Sequence, residues 1–299
     1  QATDGIYDHL DGKADQLGVD RIDDSPFGAA GNLIAGCRDL IVFLVYGREQ
    51  RLEDAKSRFD RSIHSEGDRL SRWAAAHLLN LLPGLEKASI WKVLPPEVPN
   101  NVRKAFTLAP PKILSLWPPQ RKLIRFGDQE EGKNPFSSDN NRQIITMPTS
   151  GGKTLFSQLI IAVELWQSEK GVCYVAPTRS LCREVRENLR NRLRYVPGTG
   201  VDHSPQWMDS ASTLNGEHEI EVMTPERLSY LLREDAQAVL DRFGLFVFDE
   251  VHSVDDDDRG WTLEQDLSYL HHQTKDTDHR IILMSAAVGN RPHFVEWMG

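Results

Sequence analysis

The feature of this sequence that most constrains its fold is a glycine-rich segment between a strand-like run and a helix-like run. Residues 147–154 read MPTSGGKT, after a short β-rich run at 143–147 and at the start of a predicted helix at 153–167. Adjacent glycines let the backbone curl so that its N–H groups face an anion, and the helix N-terminus adds partial positive charge. The segment therefore predicts a phosphate-binding loop.

The polar residues of this loop match what a nucleotide phosphate needs. Lys153 would reach the β- and γ-phosphates, and the Thr154 hydroxyl would bind Mg²⁺. Met147 stands where the general pattern has its first glycine, so a glycine-rich turn before a helix stays open as an alternative interpretation. The residues before Lys153 that we expect to surround ATP are Thr149, Ser150, Gly151 and Gly152.

A second motif combines two carboxylates with the end of an apolar run. Residues 245–248 (LFVF) lead directly into Asp249, Glu250, Val251 and His252. Adjacent carboxylates at the end of a buried strand are costly unless they serve a cation. We expect Asp249 to hold the Mg²⁺ that Thr154 contacts, and Glu250 to orient and deprotonate the attacking water. His252 would couple the nucleotide state to a neighbouring domain, and a polar strand terminus is the alternative.

From about residue 112 the pattern alternates between strand and helix. Repeated strand–helix units predict an α/β fold, with a parallel sheet and helices on both of its faces. Ligands of such sheets bind at the carboxyl ends of the strands, where both motifs lie. The predicted strands are residues 143–147, 171–175, 219–223, 245–248 and 280–284, and the predicted helices between them are 153–167, 179–193 and 225–232.

The first third of the chain has a different pattern. Residues 1–93 predict an all-α N-terminal domain, in which residues 71–82 carry apolar side chains at helical spacing. Prolines crowd residues 94–114, which predicts a stiff linker, because proline fixes φ and removes a donor. Residues 115–299 then form the nucleotide-binding domain. The chain starts with Gln and stops soon after its last motif, so we expect it to be a fragment.

Composition narrows the possible partners and compartments. The net charge of −9 argues mildly against a dedicated nucleic-acid-binding domain but allows a local basic groove. The cysteines, Cys37, Cys173 and Cys182, are sparse and lack metal-ligand spacing, which indicates a reducing compartment, cytoplasmic or, in a eukaryote, nuclear. The apolar run at 40–46 is far shorter than the roughly 20 residues of a membrane span, so no membrane partner is expected.

These motifs resemble those of superfamily 2 helicases, and further segments strengthen the resemblance. Residues 176–181 (APTRSL) resemble motif Ia and residues 224–228 (TPERL) resemble motif Ib, both of which touch the nucleic-acid backbone in the family. Residues 285–287 resemble motif III, usually Ser-Ala-Thr, which couples hydrolysis to strand movement. The resemblance implies nucleic-acid binding by Pro177, Thr178, Arg179, Thr224, Pro225 and Arg227, and coupling by Ser285, Ala286 and Ala287, the last without the usual hydroxyl.

Two segments resemble the superkiller-type branch of these DExH-box helicases, which includes DNA-repair helicases and the helicase domain of polymerase theta. One is TSGGKT at residues 149–154, and the other is Arg259-Gly260 followed by Leu263-Glu264. Upstream, residues 117–120 (WPPQ) resemble the Q motif. In that motif Gln120 would read the adenine edge through its amide donor and acceptor.

The resemblance implies an ATP-dependent helicase or translocase that uses ATP and Mg²⁺ and moves 3′ to 5′ on single-stranded nucleic acid, DNA more than RNA. Residues 115–299 correspond to the first of the family's two RecA-like domains, so we expect the second to be absent and residues 1–299 to be poorly active alone. The alternative is a P-loop ATPase switch or scaffold whose N-terminal helical domain binds a protein partner in a bacterial genome-defence or repair complex.

Overall fold

The computed structural model describes residues 28–129, 135–137, 141–148, 151–193, 220–251 and 259–286. It divides the chain into two compact units, residues 1–91 and 92–299. A short helix, α4 (Ile90–Val93), lies at the division between them. Each unit has its own hydrophobic core, and each is described separately below.

In the first unit, residues 28–91 form three long helices, α1 (Ala29–Tyr46), α2 (Glu49–His64) and α3 (Arg69–Ala88). Its core includes Phe43 and Phe59, both fully buried. Helix α1 ends at Gly47, whose φ is +70° and whose N–H donates to the Phe43 carbonyl over 2.8 Å. A Cβ at Gly47 would lie 2.3 Å from the Trp91 ring, so only glycine fits this turn.

Helix α1 is the one helix of the described residues that is long and apolar enough to cross a membrane. Its apolar side packs in the core that α2 and α3 complete. Its buried Asp39 carboxylate pairs with Arg51 at 3.1 Å and with Arg58 at 2.7 Å, both from α2. A buried carboxylate is costly unless it is paired with cations, so these two ion pairs are consistent with a helix in the core of a globular unit.

The second unit opens with two helices, α5 (Asn100–Leu108) and α6 (Pro118–Gln129). Helix α5 lies inside the proline-rich stretch 94–114 that the sequence predicts as a linker. The residues after α5 are anchored by Arg192, whose guanidinium donates to the carbonyls of Ala109 and Pro111 over 3.1 and 2.9 Å. This stretch is therefore bonded to the sheet-containing part of the unit.

The centre of the second unit is a five-stranded parallel sheet in the order β1-β5-β4-β2-β3. The three inner strands β5, β4 and β2 are buried along their whole length, which explains their continuous apolar runs. The α/β fold class, preceded by helices, is confirmed. The strands are β1 (Arg142–Thr146), β2 (Gly171–Val175), β3 (Ile220–Met223), β4 (Phe243–Phe248) and β5 (Arg280–Ser285).

Helices α7 (Lys153–Gln167), α8 (Arg179–Leu193), α9 (Pro225–Arg242) and α10 (Arg259–Gln273) alternate with these strands. Helix α9 runs ten residues further than the predicted 225–232, through a kink at Asp235, where φ is −156° and ψ is 86°. The Asp235 carboxylate accepts the Ala238 N–H over 2.9 Å, so it caps the second half of the helix. That restart explains why the apolar spacing breaks there.

Candidate functional site

All five strands are parallel, so their carboxyl ends meet at one edge of the sheet. Backbone hydrogen bonds beyond the strand ends join the loops there. The Met147 N–H donates to the Ser285 carbonyl over 3.0 Å, and the Asp249 N–H donates to the Val175 carbonyl over 2.9 Å. These hydrogen bonds thus hold the predicted motifs next to one another.

The loop after β1 is closed tightly around its glycines. The Gly151 N–H donates to the Pro148 carbonyl over 2.8 Å. Gly152 has φ +90°, and a Cβ there would lie 2.1 Å from Nε2 of Gln120. Glycine is therefore required by both its backbone angle and the space beside it. Thr149 and Ser150 lie outside the described residues.

Met147, the departure from the usual glycine, is buried, with 3% of its surface exposed. Its Cε would lie 3.3 Å from a Cβ at Gly151, next to the ring of Pro148. The methionine side chain therefore lies beside Gly151, in space that a side chain at Gly151 would need. The bond from the Gly151 N–H to the Pro148 carbonyl thus forms without a glycine at the first position.

Gln120 lies in the first turn of α6 and is brought directly against this loop. The side chain is 6% exposed, its Oε1 accepts the Trp117 N–H over 2.8 Å, and its Nε2 faces Gly152. The resemblance to the Q motif implies that Gln120 lies near the nucleotide, and this position is compatible with it.

Lys153 and Glu250 form an ion pair across the site. Lys153 opens α7, whereas Glu250 follows β4, and both side chains are largely buried. Glu250 has φ +52°, the left-handed region that a residue with a side chain rarely adopts. Its N–H donates to Oδ1 of Asp249 over 2.9 Å. Strained backbone of this kind clusters at functional sites.

The Asp249 carboxylate has a partner that the sequence interpretation missed. The Tyr174 hydroxyl, on β2, donates to Oδ2 of Asp249 over 2.8 Å. Burial raises the pKa of Asp249, while the bond from Tyr174 acts in the opposite direction. The signal was present in the sequence, since Tyr174 places a phenol hydroxyl in the strand GVCYV, whose every residue is buried.

The loops after β2 and β3 carry the segments that resemble motifs Ia and Ib. Thr178 caps α8, because its hydroxyl accepts the Leu181 N–H over 3.2 Å, and the adjacent Arg179 is exposed. The Thr224 carbonyl accepts the Arg227 N–H over 3.1 Å at the start of α9. The Arg227 guanidinium lies 5.5 Å from the Tyr230 ring centroid. Each loop therefore presents an arginine beside a helix N-terminus.

The remaining predicted residues are distributed around the same edge. Thr154 is exposed in the first turn of α7, Pro177 is half-buried and Pro225 is buried. Ser285 is buried at the end of β5, and Ala286 follows it half-buried. His252 and Ala287 lie outside the described residues.

One known protein family matches more than half of the chain. The model of the DEAD/DEAH box helicase family matches residues 127–294. The chain belongs to the DEAD/DEAH box helicase family. The prediction of an ATP-binding, nucleic-acid-binding helicase domain of superfamily 2 is thereby confirmed.

Two curated relatives of this helicase domain illustrate the match. The ATP-dependent DNA helicase Hel308 of Thermococcus kodakarensis is 30% identical over 207 residues, which cover 68% of this chain and 16% of that protein. The Hachiman protein HamB of Bacillus cereus is 28% identical over 269 residues, covering 87% of this chain and 23% of that protein. The chain thus spans less than a quarter of the length of either relative.

Among solved structures, the DUF1998 helicase MrfA bound to DNA aligns with a TM-score of 0.52. The alignment covers 69% of this helicase chain and 29% of MrfA, at 17% sequence identity. At that identity the likeness concerns the fold alone.

Proposed function

We propose that this chain carries the ATP-binding domain of an ATP-dependent DNA helicase or translocase of the superkiller-type branch, moving 3′ to 5′ along a single strand. The observation that carries the proposal is the convergence of Gln120, Lys153 and Glu250 on one glycine-containing loop. Three segments far apart in sequence meet at the point where the phosphate loop begins its helix.

The residues present fit ATP with Mg²⁺. A side chain at Gly152 would meet Gln120, and one at Gly151 would meet Met147 and Pro148, so the two glycines keep free the space beside the loop where phosphate oxygens would approach. Thr154 offers a hydroxyl and Asp249 a carboxylate, and oxygen ligands of this kind are those that Mg²⁺ takes in phosphoryl-transfer sites. The ion, when bound, would neutralise charge on the phosphates.

The chain's own residues would act as follows. Lys153 would leave Glu250 and bind the β- and γ-phosphates, exchanging a carboxylate for another anion. Glu250, released from the ion pair, would orient the attacking water and accept its proton. Gln120 would hold the adenine edge through its amide. Ser285, whose carbonyl accepts the Met147 N–H, and Ala286 would transmit the change at the loop to the nucleic-acid-binding segments. His252 and Ala287 would take part in the same coupling.

Nucleic-acid binding is proposed for the ends of β2 and β3. Arg179 and Arg227 lie at the starts of α8 and α9, where helix dipoles add to their attraction for phosphates. Pro177, Thr178, Thr224 and Pro225 would shape the two turns. Such backbone contacts position a strand without reading its sequence. DNA is favoured over RNA because the relative Hel308 is named as a DNA helicase.

Binding and turnover measurements test this proposal. We expect fluorescence anisotropy to show binding of labelled single-stranded DNA that is stronger than binding of duplex DNA or single-stranded RNA at the same salt concentration. Absence of binding to every nucleic acid would contradict the proposed substrate.

Turnover by the chain alone is expected to be slow. In this family arginines from a second RecA-like domain complete the site, and such an arginine contributes about 10³–10⁵ in rate. Fast, strand-stimulated ATP hydrolysis by residues 1–299, abolished by Lys153→Ala, would overturn the proposed need for that second domain.

A second candidate function, as a scaffold that binds a protein partner in a defence or repair complex, concerns the first unit. Helix α3 exposes Leu70, Trp73 and Leu81, spaced so that they share a face. The HamB match covers 87% of the chain, so it extends into this unit. Replacing Trp73 and Leu81 with serine would weaken binding of the partner protein but leave nucleotide binding intact. An equal loss of partner binding and of nucleotide binding would contradict this second candidate.

A further inference from the structure

Tyr174 is a buried polar group whose identity packing alone does not explain. It is 2% exposed, in a strand where every residue is buried. A phenylalanine would fill nearly the same volume, whereas a phenol hydroxyl in such a place is costly unless it is hydrogen-bonded. Its partner is Oδ2 of Asp249, at 2.8 Å. The hydroxyl is thus bonded to the carboxylate of the residue that follows the neighbouring strand, β4.

This bond restrains the Asp249 carboxylate from one side, and the backbone restrains it from the other. Oδ1 accepts the Glu250 N–H over 2.9 Å, while Oδ2 accepts the Tyr174 hydroxyl. Rotation of the carboxylate would break both bonds. Each carboxylate oxygen has a second acceptor site, so the group can bind a further ligand in a fixed orientation.

We propose that Tyr174 is a positioning residue for the Mg²⁺ site, whose hydroxyl fixes the Asp249 carboxylate in the orientation in which it would hold the ion. The inference rests on the proposed function, because that function assigns Mg²⁺ to Thr154 and Asp249. Groups that orient metal ligands in this way typically contribute about 10- to 100-fold in metal affinity or activity.

The test is Tyr174→Phe, which removes the hydroxyl and keeps the ring. Binding of a fluorescent ATP analogue is titrated with Mg²⁺, and binding of the same analogue is measured in EDTA. The Mg²⁺ concentration for half-maximal binding should rise by about tenfold, while binding in EDTA stays unchanged. Tyr269→Phe, which removes an exposed phenol hydroxyl from α10, is the matched control and should change neither value.

If Tyr174→Phe does not fold, as judged by loss of its thermal transition, Tyr174→Met takes its place in the same titration. Methionine also lacks the hydroxyl, and its flexible side chain adapts to a buried site, so the same shift is expected.

The outcomes separate this inference from the function on which it rests. Mg²⁺-dependent binding by the wild-type chain with an unchanged titration for Tyr174→Phe would overturn the positioning role alone. An equal loss of affinity with Mg²⁺ and in EDTA would also overturn it, since that result indicates a structural role. No Mg²⁺-dependent binding by the wild-type chain would instead contradict the proposed function itself.

Discussion

Beside the ends of β1 and β4, buried polar side chains have partners within the site, whereas after β2 the polar side chains face solvent. Gln120 and Lys153 are 6% and 7% exposed, and Lys153 pairs with Glu250, while Thr178 and Arg179 are exposed. The buried side is held by bonds within the protein, because each buried polar group needs a partner. The exposed side has no such requirement, so its chemistry depends on a strand that binds there.

The largest effect should come from the buried side, at Glu250. Glu250→Gln keeps the size of the side chain but cannot accept a proton from water, so turnover should fall by about 10²–10⁴ while nucleotide binding is retained. Steady-state ATP hydrolysis and fluorescent-nucleotide binding check this. Glu234→Gln, an exposed change on α9, is the control, and near-normal turnover for Glu250→Gln would refute its assignment as the base.

A smaller effect is expected at Gln120. Gln120→Ala removes the amide that faces Gly152, so the preference for ADP over GDP should fall by about tenfold, the worth of a hydrogen bond or two. Paired calorimetric titrations with the two nucleotides measure it. If affinity for both falls equally, Gln120 supports the loop by packing and does not read the base.

On the exposed side we expect a modest, salt-dependent effect. Arg179→Ala should weaken single-stranded DNA binding severalfold and reduce the slope of log affinity against log salt by about 0.7, leaving nucleotide affinity unchanged. The control is Arg190→Ala, at the opposite end of the same helix. An unchanged slope for Arg179→Ala would show that the strand does not contact the N-terminal end of α8.

The smallest functional effect is expected at Asp266, a buried carboxyl that faces Ser229 and Arg233 of α9 from α10. Burial raises its pKa to about 7, against the opposing effects of Ser229 and Arg233. The folded state thus keeps a proton that the unfolded state releases near its ordinary value of 3.8. Its contribution to stability is full below that value and is lost as pH rises through about 7.

Chemical denaturation of Asp266→Asn checks this sign. Between about pH 5 and about pH 8, the free energy of unfolding of the wild-type chain should fall relative to that of the variant by on the order of 2 kcal/mol. Nucleotide and DNA binding should stay unchanged. Parallel pH profiles of the two proteins would contradict the assignment to Asp266.

The structure could be predicted best from the sequence where burial determines the pattern of apolar and polar residues. The continuous apolar runs of β2, β4 and β5 indicated inner strands, and the glycines and carboxylates after β1 and β4 indicated a nucleotide site. The second half of α9 was missed because the kink at Asp235 interrupts its spacing. Helix α5 was missed because proline-rich flanks obscured it.

Within the candidate site, pairings were harder to predict than positions. Motif spacing could not indicate that Gln120 packs against Gly152 or that Lys153 pairs with Glu250, because these contacts join segments far apart in sequence. Tyr174 was missed for the same reason, since its partner Asp249 lies on another strand. The roles of Arg179 and Arg227 stay predictions from resemblance, because Arg179 is exposed and Arg227 lies beside Tyr230, and neither position by itself indicates a nucleic-acid contact.

The most direct test of the central claim is calorimetric titration of a non-hydrolysable ATP analogue into the wild-type chain and into Lys153→Ala, with Mg²⁺ present. If Lys153 and the glycine loop form a nucleotide site, the wild-type chain binds one analogue per chain, Mg²⁺ strengthens the binding, and Lys153→Ala loses it while keeping its thermal transition. Equal binding by the two proteins, or no binding by the wild-type chain, would contradict the claim.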